Sequence, residues 1–363
     1  MTTMVTETLV GGRKARRSGG RLARLRSLDL ADTRGRRLAL VRKAGAGGMG
    51  EVYEALDPAL GQRLAVKLVQ PGRSDDRLER FAAEAEILET LDHPAIVAYV
   101  GHGTTPRGQP YIAMQWLDGH DLGHHLEAGP LSLRDAVVVA RRLADGLAAA
   151  HRAGVIHRDL KPRNIVLVDG DVARATLVDF GVARRAGSDV TRTGDLVGTP
   201  GYMAPEQARG RRDLDARADL FALGCVLHHC VAGRPPFAAD DIMTVLARLL
   251  LETPPGLRRL RRDVPRRLDR LVARLLAKDP ADRPADAAEV SAELAAIGDA
   301  LDRVATRIPG RRAVGGWCAA VAVAAAVVVV VAMCLARTAS RQGSPASRAD
   351  GIASVGEGTG GKP

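Results

Sequence analysis

Aromatic residues are scarce in this chain, at 3% of 363 residues, so any core must be built mainly from Ala, Val and Leu. Cysteine is nearly as rare. Cys225, Cys230, Cys318 and Cys334 follow no metal-ligand spacing, which excludes a disulfide scaffold and predicts buried, reduced thiols. Residues 1–35 hold no apolar stretch of signal-peptide length, so the bulk of the protein is expected in the cytoplasm. Lysine supplies only six of the 53 basic residues. The net charge of +11 and pI near 10.1 invite an anionic partner, nucleic acid or lipid. An arginine skew on an Ala-, Val- and Gly-rich background also reads as the codon usage of a GC-rich bacterial genome. With 46% hydrophobic and 26% charged residues, the chain is neither disordered throughout nor collagen-like, and it is long enough for a sizeable core.

What is present is ordered along the chain. Residues 1–36 mix Gly, Ser and Thr with many arginines and are predicted to be a basic disordered arm, solvated or touching lipid or a partner. Short strands are predicted at Arg37–Ala44, Glu51–Leu56, Arg63–Val69, Ile96–Tyr99 and Tyr111–Trp116. A helix is predicted over Ser74–Leu91. After Gly119 the pattern becomes helical, with Leu133–Ala153 ending at Gly154, then Asp219–Ala232, Val264–Ala277 and Ala285–Ala300. Residues 313–336 carry no charge, lie between Arg312 and Arg337, and contain Trp317 near one end. As a helix they would extend ~36 Å against a hydrocarbon layer of ~30 Å, which predicts a single membrane span. Residues 301–312 then form a juxtamembrane linker, and 337–363 a short extracytoplasmic tail. Gly316, Ala320 and Ala324 could form a helix-dimer face, though an Ala-rich span produces such a stripe freely.

The chemistry begins at Gly45-Ala46-Gly47-Gly48-Met49-Gly50-Glu51-Val52. Glycines at the first, third and sixth places allow a tight strand–turn–strand whose backbone approaches phosphates. A strand follows rather than a helix, which disfavours a dinucleotide-binding unit. Leu64-Ala65-Val66-Lys67 then carries a cation toward the loop, and Glu84, on the helical face of Phe81 and Leu88, can partner it. His157-Arg158-Asp159-Leu160-Lys161-Pro162-Arg163-Asn164 precedes Asp179-Phe180-Gly181 by fifteen residues. Phosphoryl transfer to a hydroxyl needs a carboxylate for the proton, oxygen ligands for magnesium and a cation for the transferred group. Asp159, Asn164 with Asp179, and Lys161 supply these in turn, and hard oxygen donors suit Mg2+, with Mn2+ as an alternative.

Over about residues 37–300 the chain resembles the eukaryotic-like Ser/Thr protein kinases of bacteria. Gly47–Tyr53 and Gly198-Thr199-Pro200-Gly201-Tyr202-Met203-Ala204-Pro205-Glu206-Gln207 carry the likeness most specifically. The resemblance implies an α+β, bilobal protein-kinase fold: a β-rich N-lobe at 37–117 and a helical C-lobe at 118–300. It implies ATP as cofactor, and protein Ser and Thr hydroxyls as substrates. Val52, Ala65 and Val166 would enclose the adenine, Met114 would gate the pocket, and the Gln115–Leu117 backbone would bond the adenine edge. Asp219 would brace the catalytic loop, Arg283 would pair with Glu206, and Thr199 would support the substrate segment. Arg158 suggests control by phosphorylation, with Thr191 and Thr193 at the family's usual positions and Ser188 a further hydroxyl; a polar loop with incidental hydroxyls is the plainer alternative. A membrane-held pseudokinase scaffold and a small-molecule phosphotransferase are the rival functions.

Two features argue for less than they suggest. His120, His124 and His125 cluster, yet no acidic or Cys ligand completes a metal site. Arg258–Arg274 lacks interleaved aromatics and repeats at helical spacing, so specific nucleic-acid binding is not expected. A solvated face, or one turned to anionic lipid beside the span, fits it better.

Overall fold

The computed structural model describes residues 29–32, 35–47, 50–69, 85–180, 200–211 and 213–306. The predicted span, its small-residue stripe, Cys318 and Cys334 lie outside these residues. Among the described residues no helix is long and apolar enough to cross a membrane.

Strands β1 (Asp29–Ala31), β2 (Arg37–Gly47), β3 (Gly50–Asp57), β4 (Gln62–Val69), β5 (Tyr99–Thr104) and β6 (Pro110–Gln115) form one antiparallel sheet. Its order is β1-β2-β3-β4-β6-β5, and a bridge from Asp32 to Gly103 joins the two edges so that the sheet curls onto itself. Alternation along the strands sorts side chains onto two faces. Leu30, Leu38, Tyr53, Ala55, Leu64, Val66, Tyr111 and Ala113 fill the inside of the curl, while Val52, Ala65, Ile112 and Met114 join the core that continues toward the helices.

Two expectations are corrected here. The disordered arm does not extend to residue 36, because β1 pairs with β2 and Leu30 is fully buried in the lobe core. Asp32 and Arg36 close the turn with a 2.7 Å ion pair, and the Arg36 guanidinium also bonds the Val100 carbonyl. The strand expected at Ile96–Tyr99 begins instead at Tyr99. Residues 95–97 bond Leu177 through Leu177 N–H to the Ala95 carbonyl (2.8 Å) and Val97 N–H to the Leu177 carbonyl (2.9 Å). Tertiary pairing wins there over local β propensity.

A second sheet, β7 (Gly119–Asp121), β8 (Ile165–Val168) and β9 (Ala175–Leu177), leads into the helical part. The helices are α1 (Leu122–Glu127), α2 (Leu133–Arg152), α3 (Pro205–Ala208), α4 (Arg217–Ala232), α5 (Ile242–Leu251), α6 (Leu257–Leu260), α7 (Arg266–Leu275) and α8 (Ala287–Thr306). Ser132 caps α2 by accepting the Asp135 N–H at 3.1 Å, and Gly154, at φ +73°, turns the chain out of it. α4 is buried on nearly every side and forms the centre of the lobe, which accounts for its continuous apolar sequence. Cys225 and Cys230 sit within it as buried thiols, and burial pushes the Cys230 thiol up to about 12.

Candidate active site

The glycine loop is a hairpin. Gly45, Ala46 and Gly47 end β2, Gly50 opens β3 opposite Gly47, and Gly48 and Met49 lie outside the described residues. Register carries the loop's geometry across the sheet: Gly45 faces Val52, Val52 faces Lys67, and Ala65 faces Met114. Val52, Ala65, Met114, Leu117 and Val166, the expected adenine walls, are all buried apolar residues. Gln115 is exposed, and its backbone N–H donates to the Ala98 carbonyl at 2.8 Å.

Lys67 Nζ lies 2.8 Å from Asp179 Oδ1, both side chains mostly buried. Glu84, the partner expected from sequence, lies outside the described residues. Asp179 is held by its neighbours: Val178 N–H bonds the Asn164 carbonyl at 3.0 Å, and Asp179 itself takes φ +60°, a conformation costly for a non-glycine residue. The catalytic-loop candidates converge on Asp159. Lys161 Nζ donates to Asp159 Oδ2 at 2.9 Å, and Asn164 Nδ2 donates to the Asp159 carbonyl at 2.8 Å and to Oδ2 at 3.2 Å. These bonds engage the nitrogen of the Asn164 amide and leave its oxygen as the ligand atom. An amide oxygen and the Asp179 carboxylate are hard donors of the kind Mg2+ prefers, so the chemistry of the two residues fits that ion.

Support comes from behind. Asp219 accepts the His157 and Arg158 N–H groups and a bond from His151 Nε2, each at 2.8 Å. Burial opposes ionisation of Asp219, yet the bond from His151 and the backbone N–H of His157 hold its carboxyl below the usual range. Arg158 is thereby kept at φ +64°. Burial pushes the His157 imidazole below its ordinary value, which keeps it neutral. Its Nε2 then donates to the Val178 carbonyl (3.1 Å), Nδ1 accepts from Asp159 N–H (3.4 Å), and the ring lies 4.6 Å from that of Phe180. Gln207 donates to the Arg158 carbonyl at 2.9 Å.

Arg283 and Glu206 form a bidentate pair at 2.7 and 2.8 Å, and the Arg283 side chain is fully buried. Its remaining donors reach the carbonyls of Ala277, Arg217 and Lys278, so all five are used. Thr191, Thr193 and Thr199 lie outside the described residues. His120, His124 and His125 are exposed; the first two rings lie 4.9 Å apart, and His124 pairs with Glu127 at 3.4 Å.

Sequence reasoning passed over His151 and Gln207. His151 had a signal: it follows Leu147 by four residues on the buried stripe of α2, where a polar residue needs a partner. Gln207 had none, because its partner is a backbone carbonyl 49 residues away.

Residues 38–293 match a family model described as Protein kinase domain. The chain is 42% identical over 237 residues to the serine/threonine-protein kinase PknD of Mycobacterium tuberculosis, covering 64% of this chain and 35% of that protein. It is 38% identical over 234 residues to PknB of Mycolicibacterium smegmatis, covering 62% and 37%, and 38% identical over 229 residues to PknA of Mycobacterium tuberculosis, covering 61% and 52%. The chain thus spans about a third to a half of the length of these relatives.

Proposed function

We propose that this chain, which belongs to the protein kinase domain family, transfers the γ-phosphate of ATP to Ser and Thr hydroxyls of proteins, its own activation segment included. One observation supports the reading: Lys67 meets Asp179, Lys161 and Asn164 meet Asp159, and the Val178 N–H bonds the Asn164 carbonyl, so groups from three separate stretches of sequence are tied to one another. Asp159 orients the substrate hydroxyl and takes its proton. Lys161 steadies the transferred group, and Lys67 holds Asp179 while facing the phosphates. Asn164 and Asp179 would hold a magnesium ion, which would supply positive charge to the phosphate oxygens. Val52, Ala65, Met114 and Val166 enclose the purine, and the Gln115–Leu117 backbone sets its edge.

The same reading takes Thr191 and Thr193 as phosphoacceptors read by Arg158, and 313–336 as a membrane span with the kinase domain on the cytoplasmic side. The span is supported by 24 uncharged residues bounded by Arg312 and Arg337.

Mass spectrometry of the purified chain after incubation with Mg-ATP tests turnover and residue type together. Phosphate on Ser or Thr is expected, falling by roughly 10²–10⁴-fold in Asp159→Asn as the proton acceptor is lost. Undiminished incorporation in Asp159→Asn or Lys67→Ala would remove the assigned roles. No incorporation by the unaltered chain would favour the scaffold reading.

A further inference from the structure

The arginines of residues 257–274 are not used by the site, and the structure divides them into two groups. Eight arginines face only two acids, Asp263 and Asp269, in this stretch. Arg261 takes Asp263 at 3.0 Å, whereas the Arg258 guanidinium meets no carboxylate among the described residues and donates from Nη1 to the Val264 carbonyl at 2.7 Å, folded back on its own loop. Arg267 and Arg274 are neutralised by Glu289 and Glu293 of α8. Arg259, Arg262, Arg266 and Arg270 have no carboxylate partner among the described residues, and all four are exposed. Arg266 and Arg270 are one turn apart on α7, and Leu260 stands exposed between Arg259 and the α6–α7 loop.

The position of this face matters as much as its charge. Arg261 Nη1 donates to the Leu131 carbonyl at 2.9 Å, and Arg134, three residues further on, pairs with Asp302 at 3.0 Å. The basic loop and Asp302 therefore flank the same end of α2. From Asp302 only ten residues, among them Arg303, Arg307, Arg311 and Arg312, precede the uncharged run at 313. Even fully extended, they reach ~35 Å.

We propose that Arg259, Arg262, Arg266 and Arg270, with Leu260, form a surface that lies against anionic lipid headgroups. This rests on reading 313–336 as a membrane span. A short tether keeps the lobe within reach of one leaflet, and a negatively charged leaflet attracts each unpaired arginine. Each contributes roughly a fivefold change in partition, so four together shift it on the order of several hundredfold at low salt. Leu260 adds an apolar contact at the headgroup boundary.

The test is residue-resolved modification by phenylglyoxal, read by mass spectrometry, on the full chain in lipid nanodiscs. Discs of phosphatidylcholine alone are compared with discs in which about a third of the lipid is phosphatidylglycerol. The four arginines should react at least several-fold more slowly in the anionic discs, with exposed Arg209 unchanged, and the protection should vanish at 1 M NaCl, where the Debye length is about 3 Å. Equal reactivity in the two discs overturns the proposal. So does equal protection by glycerol phosphate or by a DNA duplex added to the neutral discs, since either replaces lipid as the partner. Release of the chain from membranes by alkaline carbonate overturns the span reading separately. The chain is then added to preformed phosphatidylglycerol vesicles, and unprotected arginines there overturn the lipid-facing surface too.

Discussion

At Gly119 a side chain has no room, because a Cβ would run into the Leu167 carbonyl oxygen and the adjoining backbone. The residue follows the Gln115–Leu117 backbone and lets β7 lie close on β8, so a methyl group there must push two strands apart. Gly119→Ala should cost roughly 1–3 kcal/mol in urea unfolding and raise the KM for ATP. Asp219 sets a different kind of limit. It accepts three bonds with two carboxylate oxygens, whereas an amide offers one oxygen and an NH2 that repels N–H donors. Asp219→Asn should therefore strand a buried donor at about 1–3 kcal/mol and loosen the Arg158 conformation. In kinetics kcat should fall roughly tenfold or more while the KM for ATP changes little, since Asp219 touches the loop and not the nucleotide. A KM effect without a kcat effect would contradict this role.

At the scale of elements, α3 is a four-residue helix that cannot stand by itself, and Arg283, 77 residues beyond Glu206 in sequence, anchors it. Removing either partner leaves a charge buried, so Glu206→Leu or Arg283→Met should cost about 3–5 kcal/mol; the two together should cost less than the two singles combined. Chemical denaturation of the four proteins measures the coupling. β1 contributes differently, through apolar area. Leu30 is fully buried, so Leu30→Ala should destabilise by about 2–5 kcal/mol, a loss that a mobile arm would not show. Tyr111, whose phenol is buried in the same cluster without a hydrogen-bond partner among the described residues, makes that lobe less tolerant of further loss.

For the whole molecule, acid sensitivity follows from buried imidazoles. Burial lowers His157, and it lowers His228 to about 4, while the unfolded chain titrates near the ordinary histidine value. Between about pH 6.5 and 4 the unfolded state binds more protons than the folded state, so stability rises with pH and is lost as pH falls. His228→Gln should flatten the pH dependence of unfolding by up to about 1.4 kcal/mol per pH unit within that window. Asp219 acts lower still: its depressed carboxyl contributes stability that disappears only once pH falls below the ordinary carboxylate range.

Local rules, read along the chain, determined the β-rich then helical order, the stop of α2 at Gly154, and the choice of Lys67, Asp159, Lys161, Asn164 and Asp179 as candidate reactive groups. Those features depend on spacing, propensity and side-chain chemistry, which one stretch of sequence contains entire. Tertiary structure decided that residues 29–32 belong to the sheet, that residues 95–97 pair with Leu177, that His151 and Gln207 hold the catalytic loop, and which arginines of 257–274 remain without a carboxylate. Each of these is set by a partner tens of residues distant or more. Its free energy comes from closing that distance against chain entropy, a quantity no local window contains.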